Sequence, residues 1–188
     1  MIYLSKGLVC KGSTEELLSI THHGQHFTLP NQLAYVWLNG RYKMVNTVNI
    51  QEENALRQLV RMGLAEAEEK DCEVSKYRIL SRCILYPTTN VSFQLRRMQG
   101  KEKVALTWLR KAGLRLSTAE LVCLFEKGIL PSEDLLYDQN RQALVEKLYS
   151  VDTITDGILE TQMEHAAKRD AVVEIIQNLI FRKKVVVL

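Results

Sequence analysis

No two of the four cysteines, Cys10, Cys72, Cys83 and Cys123, stand as a C-x-x-C pair, which argues against zinc-ribbon and thioredoxin-type chemistry. Reduced, partly buried thiols account for them. No apolar run approaches the ~20 residues that span a bilayer. The start, MIYLSKGLVCKG, has no basic leader ahead of a long apolar stretch, so a cytoplasmic location is expected and the Asn90-Val91-Ser92 sequon carries no weight. Enzyme signatures are missing as well: no G-x-x-x-x-G-K-[ST], G-x-G-x-x-G, H-E-x-x-H or G-x-S-x-G occurs. The expectation is a protein that is not an enzyme and carries no cofactor. Strong charge is lacking too. A net charge of +3 is too mild to imply nucleic acid by itself.

What is present is an ordinary globular composition, 46% hydrophobic and 25% charged over 188 residues, enough for one large core or two small ones. Ile2-Tyr3-Leu4, Leu8-Val9-Cys10 and Leu17–Thr21 read as short strands, and a tight turn at His23-Gly24-Gln25-His26 precedes Phe27-Thr28-Leu29. Pro30 opens a helix that Asn39-Gly40 stops. A second helix, from about Ile50, carries Leu56, Leu59, Val60 and Met62 at helical spacing and stops at Gly63. Leu64 then starts a strand, residues 65–74 form a polar hairpin tip, and Tyr77-Arg78-Ile79-Leu80 returns as a strand that continues through Cys83 and Leu85 to Pro87. Residues 87–100 read as a linker or a short connecting helix.

Beyond Lys101 the pattern is helical. One helix runs to Gly113; Ser117-Thr118-Ala119-Glu120 is a capping-box start; another helix holds Leu144, Val145 and Leu148. A single long helix is expected from Thr155-Asp156 through Leu179, and the last strand, Lys184–Leu188, is expected to pair with the N-terminal one. The fold class is α+β, with domains at 1–86 and 101–188.

Residues 53–80, ENALRQLVRMGLAEAEEKDCEVSKYRIL, resemble the centre of winged-helix transcriptional regulators of the MarR and PadR families through Leu56, Leu59 or Val60, Gly63, Leu64, Tyr77 and Ile79. The resemblance implies that the Gly63 helix reads DNA and that the following hairpin is the wing. It departs from the family between Gly40 and Asn49, a stretch too short and too β-like for the first helix of a helix-turn-helix. The order of three strands, then LPNQLAYVWLNGRY, then the Gly63-Leu64 helix, is similar to PqqD-like modules, matched at Leu33, Trp37, Leu38, Gly40, Leu59 and Gly63. That likeness implies a peptide held along a strand edge. The second half can be read as a divergent second winged helix.

Under the DNA reading, Asn54, Arg57, Gln58 and Arg61 face base edges. Equally, a Glu53–Arg57 pair makes that face an ordinary solvated one. Charge is segregated: residues 51–75 are acidic, whereas Lys76, Arg78, Arg82, Arg96, Arg97, Lys101, Lys103, Arg110, Lys111 and Arg115 face only Glu102. Arg78, Arg82, Arg96, Arg97, Lys101 and Lys103 are the candidate phosphate contacts. The leading expectation is a transcriptional regulator bound to double-stranded DNA, with the long C-terminal helix available for a homodimer; the alternative is a protein- or peptide-binding adaptor. His22, His23 and His26 are weighed as a metal site, His23 facing His26 across the hairpin with Cys10 nearby, and turn-flanking polarity explains them without one.

Overall fold

The computed structural model describes residues 1–10, 12–13, 17–88, 95, 98–111, 116–136, 141–150 and 155–188. The chain is α+β. Its strands are β1 (Ile2–Ser5), β2 (Leu8–Val9), β3 (Leu18–His22), β4 (Gln25–Leu29), β5 (Val45–Asn46), β6 (Ala65–Glu68), β7 (Leu85–Pro87) and β8 (Val185–Val187). Its helices are α1 (Asn31–Asn39), α2 (Ile50–Arg61), α3 (Glu73–Ser81), α4 (Gly100–Lys111), α5 (Thr118–Glu126), α6 (Glu133–Leu136), α7 (Arg141–Leu148), α8 (Asp156–Met163) and α9 (Arg169–Phe181).

β1 lies between β5 and β6, antiparallel to both, with Ile2 opposite Glu68 and Ser5 opposite Ala65. All four of its residues are buried because each face of the strand is covered. Successive side chains on a strand point to opposite faces, and here those faces belong to different cores. Tyr3 joins Trp37, Leu56, Leu59 and Leu64, whereas Ile2 and Leu4 join Trp108, Leu121, Val173 and Leu179. The first core holds α1 and α2 under the meander β2-β3-β4. The second includes Tyr77, Ile79, Leu80, Cys83 and Leu85, so residues 73–87 pack with the helical half.

Helix starts follow the local chemistry. Asn49 Oδ1 accepts from the Glu52 N–H at 2.9 Å, and Ser117 and Glu120 close a reciprocal capping box; each such cap is worth about 1 kcal/mol. Three helices stop in the same way. After α2, α5 and α9 a residue with positive φ (Gly63, Gly128, Lys183) turns the chain, and the next N–H reaches back to Leu59, Leu124 or Leu179. After α2 and α9 the chain then enters a strand, β6 or β8, antiparallel to a strand earlier in its own half, β1 or β7.

Three expectations from the sequence are corrected. Residues 73–81 form a helix, so the described chain has no wing hairpin there: β6 pairs with β1 instead. Val74, Tyr77 and Leu80 recur at three-residue spacing, and Lys76 reaches Glu73 at 2.6 Å across one turn. That periodicity outweighed the apparent alternation of Tyr77 and Ile79. The long C-terminal helix is two helices, α8 and α9. At the break the Lys168 N–H donates to Glu126 Oε2 at 2.9 Å while its Nζ donates to the Phe125 carbonyl at 2.7 Å, capping the end of α5. Finally, β8 pairs with β7, Leu85 opposite Val187, rather than with β1. Gly113 and most of the proposed 87–100 linker (89–94, 96 and 97) lie outside the described residues.

Candidate functional site

The helix face proposed to read bases is exposed at all four positions, Asn54, Arg57, Gln58 and Arg61, because Ala55, Leu56 and Leu59 take the opposite side into the core. Arg57 donates to Glu53 at 2.7 Å, as its i,i+4 spacing predicts. The proposed phosphate contacts are differently placed. Arg78 grips Glu164 through two bonds, at 3.0 and 2.6 Å, and holds that carboxyl below the usual carboxylate range. Arg82, the residue that ends α3, is paired with both Glu66 and Glu68 of β6. Arg78 and Arg82 both line a cleft of about 200 Å³ with Glu160 and Glu164, Arg78 neutralised by Glu164 and Arg82 by the acids of β6. Lys101 and Lys103 are exposed at the start of α4. Arg96 and Arg97 lie outside the described residues.

Of the three histidines weighed as a metal site, His22 and His23 meet each other and His26 stands apart, near Cys10. His23 and Gly24, with φ of 48° and 78°, form the two-residue turn between β3 and β4. Positive φ at both positions is the type I′ geometry that matches strand twist. His23 therefore does not face His26; its ring meets that of His22, with centroids 4.1 Å apart. His22 is only 6% exposed, beside a cavity of about 250 Å³, and burial holds its pKa down at about 4. Its Nδ1 has no hydrogen-bond partner among the described residues. His26 lies on the outer face of the meander with its Nδ1 3.8 Å from Cys10 Sγ. Among the described residues no three metal-ligating side chains come together.

The feature that residue types did not single out is the outer edge of β4. The meander order is β2-β3-β4, so β4 has a neighbour on one side only, and no other described strand meets it. The turn sets which backbone groups point outward. His22 and Gln25 close the two-residue turn as a hydrogen-bonded pair, and hydrogen-bonded pairs alternate along the ladder. The pairs Thr21–His26 and Ser19–Thr28 are then the non-bonded ones. Their N–H and C=O groups on β4, those of His26 and Thr28, face away from β3. Both residues are exposed, and no backbone hydrogen bond from β4 to anything but β3 exists among the described residues. Gln25–Leu29 carries no Lys, Arg, Asp, Glu or Pro, the residues that usually blunt an edge. The helix that follows, α1, packs on β4 and shows Tyr35 and Leu38 to solvent. A signal was available in the sequence: His-Gly between two β-prone runs marks a hairpin, although its open side depends on tertiary packing.

No protein-family model matches the chain, and no curated protein or solved structure matches it either.

Proposed function

We propose that this chain is a non-enzymatic adaptor that holds an extended peptide against the outer edge of β4. The observation that carries the reading is the pair of outward-facing backbone groups at His26 and Thr28, without a partner among the described residues, on an exposed strand that holds no Lys, Arg, Asp or Glu. An added strand takes its affinity from such main-chain bonds and its specificity from pockets for alternate side chains. Five residues of β4 give an edge of about 17 Å, the reach of a short peptide strand.

The test is a randomised peptide library panned against the wild-type protein and Thr28→Pro. The Thr28 N–H points away from β3, so proline there removes an outward donor and leaves the β3–β4 ladder intact. Wild type is expected to enrich extended sequences, and the variant to bind them roughly tenfold more weakly, the worth of a lost hydrogen bond plus steric exclusion. Equal binding by the variant overturns the reading.

A second reading, a transcriptional regulator bound to duplex DNA, is favoured by one observation, the shared exposed face of Asn54, Arg57, Gln58 and Arg61 on α2. It draws less support from the phosphate side, since Arg78 and Arg82 are already paired with acids. Binding to random duplex that falls steeply with salt, and is lost in Arg57→Glu/Arg61→Glu, is the outcome that would select it.

A further inference from the structure

The second half contains a cleft that the strand-edge reading does not use. It opens between the first turn of α4 and the end of α5, with a volume of about 490 Å³. Its walls are apolar: Val104 from α4, Leu124 and Phe125 from α5, and Ile129 and Leu130 from the chain just beyond. The stop at Gly128 builds the far wall. With φ of 66° there, the Ile129 N–H returns to the Leu124 carbonyl at 2.9 Å and the chain folds back over the helix end. Leu130 remains 68% exposed at the rim, a large apolar side chain without cover.

The mouth is cationic. Lys101 and Lys103 both line it, both are exposed, and neither makes an ion pair among the described residues. Two acids on the same helices are engaged elsewhere: Glu102 pairs with Arg182 at 3.0 Å, and Glu126 accepts from the Lys168 N–H. No carboxylate belongs to the lining among the described residues. An apolar trough flanked on its α4 side by two lysines, one to either side of Val104 and neither in an ion pair among the described residues, is complementary to a molecule with an alkyl or aromatic body and one anionic end. The volume falls within the ~300–1,000 Å³ of small-molecule sites. A docked protein helix is a poorer match, since a stable interface covers about 800 Å² on each partner.

We propose that this cleft binds a small amphipathic anion, an alkyl carboxylate, with its tail against Phe125 and Leu130 and its carboxylate between Lys101 and Lys103. Each buried methylene adds to affinity, and the lysines select the sign of the head group.

The test uses dodecanoate, below its micellar concentration, titrated calorimetrically into the full chain beside dodecyltrimethylammonium. One dodecanoate per chain is expected, bound roughly tenfold or more tightly than the cation. Lys101→Gln/Lys103→Gln, two surface substitutions whose fold is checked by circular dichroism, is expected to lose that preference. Leu130→Asp is expected to weaken dodecanoate binding without changing the fold. The proposal is overturned if binding is not saturable, if both head groups bind alike, or if the preference survives in the glutamine variant. Displacement of dodecanoate by an acidic amphipathic peptide at a lower concentration would assign the cleft to a protein partner and overturn it too.

Discussion

Gly40 follows α1 with φ of −86°, a conformation open to any residue, so its small size has another cause. A Cβ there would be driven into the ring of Tyr3 and to 2.7 Å from Ser5 Oγ. Tyr3 has little freedom to yield. It is buried, and its hydroxyl donates to the Val36 carbonyl at 2.9 Å. Gly40→Ala is expected to cost about 1–3 kcal/mol, as overpacking does, read as a lower urea midpoint. His22 gives a pH dependence of defined sign. Its folded pKa, about 4, lies below the ordinary 6.5, so the unfolded chain takes up a proton first. Stability from this group is therefore complete above 6.5, falls as pH drops toward 4, and is level below that. The full loss is on the order of 3 kcal/mol. His22→Phe should flatten that part of the stability profile; an unchanged slope would mean that other groups produce it. The thiols also divide by environment. Burial pushes Cys83 up to about 12, while Cys72, at the start of α3, is lowered by hydrogen bonds from Ser75.

At the scale of elements, local chemistry made most boundaries legible. Ser117 and Gly63 mark helix ends by a capping box and a left-handed stop, and both do so in the structure. The break between α8 and α9 was not legible, because no glycine or proline lies between Glu164 and Lys168. It depends on Lys168 meeting the end of α5, a contact far away in sequence. The strand expected at 77–80 failed for a related reason: alternating and three-residue spacings both fit so short a stretch, and packing against α9 and α5 decides between them. Lys183 occupies the left-handed position that Gly63 and Gly128 fill elsewhere, with φ of 56°. Lys183→Gly should therefore stabilise the protein by about 0.5–1 kcal/mol, measured as a raised thermal midpoint. A drop would show that the Lys183 contact with the Tyr42 ring, 4.9 Å from its centroid, outweighs the backbone strain.

Over the whole molecule, β1 joins two cores by sending alternate side chains into each, and Arg82, at the end of α3, ties the halves further by pairing with Glu66 and Glu68 of β6. This architecture governs what the charge pattern means. The cationic run beginning at Lys76 is evident in sequence, but folding sets Arg78 and Arg82 against acids from distant segments, which no linear count reveals. The open edge of β4 is also a product of topology, since it depends on which strands reach the meander and which pair with β1. The most direct measurement is residue-resolved amide hydrogen exchange with a peptide selected by the wild-type protein. His26 and Thr28 should exchange quickly in the free protein and become protected when the peptide binds. Protection confined to α2, with both amides still exchanging quickly, would contradict the account.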